Sequence, residues 1–184
     1  MAIEEAAYTV LLRDGRFEIR DYAPQRIAEV IVEGSLEDAG NRAFRPLFRY
    51  IDGHNRARPT TTMTERDATS RKIAMTAPVG QEAEGDRWRV SFMMPQSFTL
   101  ETLPQPEDPA VSLREIPARR MAAIRYRGFW TESGYLRHRD RLTDWIAAQE
   151  LSAVGEPVWA RYNPPFTPWF LRRNEILIPI ASTP

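Results

Sequence analysis

The sequence contains no cysteine and only two histidines. The missing cysteine excludes a thiolate nucleophile, cysteine-ligated zinc, an iron–sulfur cluster, and haem that is attached to or ligated by cysteine. With so few imidazoles, a catalytic transition-metal centre lacks its usual ligands. The signatures of P-loops, dinucleotide-binding folds, EF-hands, zinc proteases and G-x-S-x-G hydrolases are also missing. The sequence therefore favours binding over catalysis, and it predicts no metal site.

Neither sign of charge is in excess, and long apolar runs are lacking. The 25 basic residues, of which Lys72 is the only lysine, balance 25 acidic residues. A chain without net positive charge is not expected to bind nucleic acid. No apolar stretch is long enough to span a bilayer, and the first residues, with acids at Glu4 and Glu5, do not resemble a signal peptide. We expect a cytoplasmic protein without a membrane span.

The composition is that of a folded chain. Apolar residues make up 42% of the 184 residues, which is enough to bury a core without disulfides or metal. One domain is therefore predicted over residues 1–184. Three closely spaced prolines between residues 104 and 109 predict a stiff connection. They divide the domain into one half at about residues 15–103 and another at about 110–181.

The first half has the pattern of one helix among four strands. Ser35 is the predicted N-cap of a helix that ends at Asp52, and Pro46 within it predicts a kink or a late start. The polar residues 54–70 are expected to form an exposed loop. Alternating or β-branched apolar residues predict four strands, at residues 17–22, 26–33, 73–79 and 88–94.

The second half has the same pattern. Thr131 or Ser133 is the predicted N-cap of a helix that runs from about Tyr135 to Gln149. Its strands are predicted at residues 111–116, 120–127, 158–162 and 175–180.

A shift of 94 positions aligns the two halves without a gap. Gly34 and its counterpart Gly128 both fall where a predicted strand ends and a predicted helix begins. Such internal similarity predicts an α+β fold of two strand–helix–strand–strand units that pair about a pseudo-twofold axis. A ligand cleft is expected at the seam between them. The five identical pairs are Arg26/Arg120, Ala28/Ala122, Gly34/Gly128, Gly40/Gly134 and Arg45/Arg139.

Four motifs carry a family resemblance. They are FEIRDY at residues 17–22, YIDGHN at 50–55, IAMTAPV at 73–79 and YNPPFTPWFLRRNEILI at 162–178. In this order and spacing they resemble the SOUL haem-binding protein family in its bacterial form. The resemblance implies a twisted antiparallel β-barrel-like sheet flanked by two helices, similar to the gyrase-inhibitor-like small-molecule-binding domains.

The resemblance also implies a function. Members of the family bind haem or another tetrapyrrole non-covalently in an apolar groove, for buffering, transport or delivery. Some members have a histidine, taken as the iron ligand, where this chain has Asp21. A carboxylate is a poor axial ligand compared with imidazole. The resemblance therefore predicts a tetrapyrrole pocket, held by apolar packing and basic contacts to propionates, rather than an iron bond.

Imidazole and thioether groups are the candidate axial ligands. His138 lies on the second predicted helix, where it is either a haem ligand or a histidine at the edge of the core. His54 is interpreted as a solvated loop residue. Met75, in a motif that the family shares, is the preferred candidate among the methionines, although strand spacing also suits a core position. The other methionines considered are Met63, Met93, Met94 and Met121.

The segment from Tyr162 to Phe170 is rich in aromatic residues and proline. It either stacks on a porphyrin plane or covers an edge of the sheet. Arg172 and Arg173 follow it and are candidate partners of propionates, although neighbouring residues on an extended chain point to opposite sides. The aromatic residues predicted to contact the ligand are Tyr162, Phe166, Trp169 and Phe170.

Glu175 opens the last predicted strand and allows two further hypotheses. As in the gyrase-inhibitor-like domains, it is a candidate contact for a flat or cationic small molecule. A small-molecule hydrolase that uses Glu175 as a base is the third hypothesis. The structural alternative is an ion pair of Glu175 with Arg172 or Arg173 that holds the loop.

Overall fold

A computed structural model describes residues 3–58 and 70–181 of the chain. Most of the predicted loop at residues 54–70, together with the candidate ligand Met63, lies outside the described residues. No helix in the described ranges is long and apolar enough to span a bilayer.

The described chain forms two helices and thirteen strands. Nine of these strands form one antiparallel sheet, in the order β10–β4–β8–β7–β12–β13–β11–β3–β2, which curls through 220° into a half-barrel. The predicted α+β class, with two helices on a barrel-like antiparallel sheet, is thus confirmed. The helices are α1 (Leu36–Ile51) and α2 (Glu132–Ala148). The strands are β1 (Glu4–Glu5), β2 (Tyr8–Asp14), β3 (Phe17–Tyr22), β4 (Gln25–Val32), β5 (Asn55–Arg56), β6 (Thr76–Ala77), β7 (Val79–Glu84), β8 (Arg87–Met93), β9 (Gln105–Pro106), β10 (Ser112–Ile116), β11 (Arg119–Arg127), β12 (Val158–Arg161) and β13 (Arg173–Pro179).

Both helices begin where the predicted caps stand. The Ser35 hydroxyl accepts a hydrogen bond from the backbone N–H of Asp38, and the Thr131 hydroxyl accepts one from that of Gly134. Because Thr131 rather than Ser133 is the cap, α2 starts three residues before the predicted Tyr135. Pro46 lies within α1 without ending it.

The strand predictions need correction at several places. Asn55–Arg56, at the start of the predicted loop, forms the short strand β5, which pairs with β9 in the predicted connection between the halves. Residues 73–79 do not form one strand, since Ile73–Met75 are irregular and only Thr76–Ala77 and Val79 onward are extended. The strand β2 was not predicted. It pairs with β3 across a tight turn at Gly15, whose φ of 58° lies in the left-handed region that favours glycine. The side chains of β2 are mostly exposed, so they lack the apolar alternation by which a strand is recognised.

Apart from the additional edge strand β2, the strand order is symmetric about the β7–β12 pair. A shift of 94 positions converts the register pair Arg20↔Met121, between β3 and β11, into Arg114↔Ile27, between β10 and β4. The first strand of each half therefore pairs with the other half, so that neither half completes its own part of the sheet. Two similar units that pair about a pseudo-twofold axis would give this exchange of first strands. Their common origin stays a prediction.

The two faces of the sheet bury different kinds of side chain. The outer face is apolar, and α1 packs there on β4 and β8 while α2 packs on β11 and β13. The inner face lines the half-barrel. One small cavity on this face touches both β10 and β3, although these strands are near opposite ends of the strand order, so the sheet curls around the cavity. Small residues and a group of charged side chains fill that interior, including Ala123, Ala160, Arg20 and Glu175.

Candidate functional site

A pocket of about 460 Å³ lies at one end of the central strand pair. We call it the α1 pocket. Val79 of β7 and Arg161 of β12, which are register partners, form its base. The exposed side of α1 forms one wall, and the segment after β12 forms the other. The pocket therefore lies where the two halves of the sheet meet.

The α1 wall consists of Phe44 and Phe48. These residues are four positions apart on the helix, and their rings stack with centroids 5.7 Å apart. Phe44 is 41% exposed and Phe48 is 45% exposed. Two adjacent aromatic rings facing an open pocket provide a flat apolar surface.

The opposite wall comes from the predicted aromatic and proline segment. Tyr162, Pro164, Pro165 and Phe166 line the pocket, and Met75 lines it near the base. Tyr162 is buried, whereas Phe166 is 86% exposed and stands at the mouth. The prolines restrict the backbone, so this wall keeps its shape without a regular element.

Among the described residues, Arg161 is the only basic residue that lines the α1 pocket, and it has no carboxylate partner there. Its Nη2 donates to Gln81 Oε1 at 3.1 Å, and its guanidinium lies 5.0 Å from the ring centroid of Trp159 and 5.3 Å from that of Trp130. Its Nε has no hydrogen-bond partner there. Burial lowers the pKa of Arg161 to about 10, so it stays a cation at neutral pH. A shielded charge without a counter-ion is costly, and an anion that entered the pocket would offset that cost.

Gly40 allows this placement. A Cβ built on Gly40 would lie 2.5 Å from Nη2 of Arg161. The helix can therefore approach the guanidinium only with glycine at this position. Neither residue was among the predicted site residues. The glycine inside a predicted helix was the one signal in the sequence, because such a glycine usually marks a close approach.

Glu175 lies on the inner face and is fully buried. It accepts two hydrogen bonds from Arg20, at 2.6 and 3.2 Å, one from Arg173 at 3.1 Å, and one from the Tyr162 hydroxyl at 2.9 Å. Burial raises the pKa of Glu175, but the hydrogen bonds and charges of Arg20 and Arg173 outweigh it and hold the pKa below its ordinary value. The carboxylate is therefore ionised, and both of its oxygens accept hydrogen bonds. Its ion pair with Arg173 is one that the structural alternative predicted. Arg20 was not predicted as a partner.

His138 does not lie at the α1 pocket. Its ring stacks on Tyr126 with centroids 3.7 Å apart, and its Nδ1–H donates to the carbonyl of Gly134 at 2.7 Å. It lines a different cavity, beside the β2–β3 hairpin. The other histidine, His54, is exposed. The groups of the α1 pocket that resemble haem ligands are therefore the thioether of Met75 and the hydroxyl of Tyr162, which is bonded to Glu175.

The remaining predicted residues surround the pocket without lining it. Trp169 and Phe170 lie in a short 3-10 turn, and about half of each is exposed. Arg172 donates to the carbonyls of Thr167 and Pro165 and so braces the wall from behind. Arg173 points into the half-barrel toward Glu175.

The methionines of the strands and the core that the structure describes do not line this pocket. Met93, Met94 and Met121 are buried in the core. In the part of the chain that the structure describes, histidines and acidic residues form no cluster that could hold a metal ion.

A half-barrel of nine antiparallel strands with two helices, and an apolar pocket beside α1 at one end of the β7–β12 pair, define the class of fold. The chain belongs to the SOUL heme-binding protein family, whose model matches residues 3–179. This confirms the predicted resemblance. No curated protein matches the chain.

Solved structures share the fold at low identity. The C-terminal domain of EcmrR is 10% identical with a TM-score of 0.66, over 96% of this chain and 99% of that one. A hydrolase from Listeria innocua is 10% identical with a TM-score of 0.60, over 93% and 94% of the two chains. An uncharacterized conserved protein from Listeria innocua is 12% identical with a TM-score of 0.62, over 90% and 92%.

Proposed function

We propose that this protein binds haem or another tetrapyrrole non-covalently in the α1 pocket, with one propionate of the ligand on Arg161. The observation that carries the proposal is the shielded guanidinium at the base of an apolar pocket, without a carboxylate partner in residues 3–58 and 70–181. A tetrapyrrole with propionates matches both features of the pocket. Its large flat ring suits the apolar lining, and its carboxylate can accept two N–H hydrogen bonds from one arginine. Membership of the heme-binding family supports the same ligand class.

The ring would lie between the two aromatic walls. Phe44, Phe48 and Phe166 all line the pocket. The volume of the pocket is within the range of about 300–1,000 Å³ that is usual for small-molecule sites. The exposed position of Phe166 leaves the mouth open, which suits a protein that takes up and releases its ligand.

Recognition in this proposal depends on the macrocycle and its propionates more than on iron. No histidine lines the α1 pocket, and Met75 supplies only a weak thioether ligand. Asp21, at the position where some relatives have histidine, is paired with Arg120 at 2.7 Å. We therefore expect metal-free protoporphyrin IX to bind about as tightly as haem, and haem to show no bis-histidine spectrum.

Glu175 supports neither alternative hypothesis. A cationic ligand needs an uncompensated carboxylate, but Arg20 and Arg173 already neutralise this one. A hydrolytic base needs a free lone pair near a substrate, and the oxygens of Glu175 are bonded to Arg20, Arg173 and Tyr162 in the interior. The role that we infer is buffering, transport or delivery of a tetrapyrrole in the cytoplasm.

The test is a thermodynamic cycle in which Arg161 of the protein and the propionates of the ligand are altered separately and together. Protoporphyrin IX and its dimethyl ester are titrated against the wild type and Arg161→Met, with tryptophan quenching and the Soret band as signals. Trp130 and Trp159, on either side of Arg161, are the expected reporters. Removing a charge-assisted contact should weaken binding of the free acid about tenfold. The dimethyl ester should bind both proteins equally.

The matched control is Arg87→Met, at an exposed position for which the structure gives no ion pair. It should bind the free acid like the wild type. The proposal is wrong if neither porphyrin gives a saturable signal. The assignment of Arg161 is wrong if the ester and the acid lose the same affinity in Arg161→Met.

A further inference from the structure

A second, more open cavity of about 630 Å³ lies at the tip of the β2–β3 hairpin. The end of β11 and one side of α2 complete it. It shares no lining residue with the α1 pocket. We call it the arginine cavity, after Arg13, Arg16, Arg125 and Arg127, which line it.

The charges of this cavity are unbalanced. Arg16, Arg125 and Arg127 are exposed and make no salt bridge within residues 3–58 and 70–181. Glu18 is its one acidic lining residue, and this carboxylate is bonded to Arg13 at 2.8 Å and to Arg20 at 2.6 Å. The chain as a whole is neutral, so the excess of positive charge is a local feature. Three arginines without a carboxylate partner in these ranges line one space, and their like charges favour an anion there.

A buried imidazole faces the same space. His138 lines the arginine cavity and is 6% exposed. Its Nδ1–H is bonded to Gly134, and the stack on Tyr126 holds the ring in place. Its Nε2 has no hydrogen-bond partner among the residues described. The second ring nitrogen is therefore fixed in orientation and free to bond with a ligand in the cavity.

The surroundings of His138 favour the neutral form of its imidazole ring. Burial lowers the pKa of His138, the charges of Arg137, Arg141 and Arg16 lower it further, and the bond to Gly134 opposes them. A bound anion would reverse the balance, because a negative charge next to Nε2 favours the protonated ring. The other charged or titratable groups that line the cavity are Arg13, Glu18, Arg125, Tyr126 and Arg127.

We infer that the arginine cavity binds a phosphate group, held by Arg16, Arg125 and Arg127 and capped by the Nε2–H of a protonated His138. A carboxylate has two oxygens and satisfies one guanidinium, whereas a phosphate offers three terminal oxygens and up to two charges. Three arginines and one imidazole around one space therefore match phosphate better. This site is independent of the proposed tetrapyrrole pocket. The ligand is a free phosphate ion or a phosphate monoester.

The experiment is a titration with inorganic phosphate, followed by the imidazole resonances in nitrogen-correlated NMR spectra. Phosphate should shift the Nε2 signal of His138 and raise the pKa of this ring. The exposed His54 serves as the internal control and should not respond. Calorimetry in two buffers of different ionisation enthalpy should show proton uptake on binding at neutral pH. A parallel titration with glycerol phosphate decides whether a monoester binds more tightly than the free ion, and acetate should bind more weakly than both.

Variants make the result specific. Replacing Arg16, Arg125 or Arg127 by glutamine removes one charge-assisted contact and should weaken phosphate binding about tenfold. The control Arg87→Gln should leave it unchanged. An unchanged His138 pKa in phosphate, or an equal loss in Arg87→Gln, would overturn the inference. Porphyrin titration of the Arg16, Arg125 and Arg127 variants should match the wild type, so failure of this site and failure of the proposed function are distinguishable.

Discussion

Gly40 and Arg161 meet where α1 crosses the end of β12, and the missing Cβ of the glycine leaves the space that the guanidinium occupies. A Cβ there would lie 2.5 Å from Nη2 of the arginine. The first prediction concerns this contact. Gly40→Ala should displace the guanidinium, because the end of a flexible side chain moves more easily than a helix. Porphyrin affinity should fall about tenfold, as for loss of the charge-assisted contact.

The stability of Gly40→Ala should change in a different way from its binding. Alanine is favoured over glycine inside a helix by about 1 kcal/mol, which offsets the cost of moving the arginine. Chemical denaturation should therefore give a free energy of unfolding close to that of the wild type. Gly134→Ala is the matched control, since its Cβ would lie 2.9 Å from the capping Thr131 hydroxyl. Gly134→Ala should destabilise the protein and leave porphyrin affinity unchanged. A loss of porphyrin affinity in Gly134→Ala but not in Gly40→Ala would contradict the role assigned to Gly40.

The second prediction separates the two groups of exposed aromatic residues. Phe48 lines the α1 pocket, whereas Phe170 lies in the 3-10 turn outside it. Phe48→Ser should weaken porphyrin binding by removing a stacking surface, a contribution of about 1 kcal/mol or more. Phe170→Ser should leave the affinity unchanged. If both substitutions weaken binding equally, the turn closes over the ligand and the predicted contacts of Trp169 and Phe170 gain support.

The third prediction concerns the buried ion pair of Arg20 and Glu175. Glu175→Gln leaves the positive charges of Arg20 and Arg173 without their partner in the interior. We expect the free energy of unfolding to fall by about 3–5 kcal/mol. Adding Arg20→Met should recover part of this loss, because it removes one of the uncompensated charges. The control Asp21→Asn breaks an exposed pair on the same strand and should change stability little.

The fourth prediction is the acid dependence of stability. The folded protein holds the pKa of Glu175 below its ordinary value near 4.5. The ionised carboxylate therefore contributes stability that is fully present above the ordinary pKa and is lost as the pH falls through the folded pKa. Unfolding measured from neutral to acid pH should show this loss in the wild type. Glu175→Gln should lack that part of the acid dependence, and an identical slope in both proteins would contradict the assignment.

Much of the fold could be predicted because its signals are local. The caps Ser35 and Thr131 mark the helices, and β-branched or alternating residues mark most strands of the sheet. The repeat also predicted two similar halves, and the register pairs agree with it. The strand β2 escaped prediction because its side chains are exposed on both faces, so burial leaves no pattern in them.

The candidate site could be predicted only in part. The segment from Tyr162 to Phe166 and Met75 do line one pocket, because the shared motifs run through its walls. Helix spacing alone does not show that Phe44 and Phe48 stay partly exposed and line a pocket. His138 was grouped with the pocket residues, yet it lies at another cavity, since the direction in which α2 crosses the sheet is not encoded in its own spacing.

The sequence by itself determined the chemical inventory, the capped helices and the family. The inventory and the capped helices follow from residue types and from short-range periodicity, which act over a few positions, whereas the family follows from the resemblance of four motifs. Only the tertiary structure decided that each half gives its first strand to the other and that Arg161 faces the pocket beside Gly40, apart from the carboxylates that the structure describes. Both depend on pairing between residues far apart in the chain, and such pairing follows from which strands meet and with what register. For the same reason, Glu175 is bound by Arg20, 155 positions away.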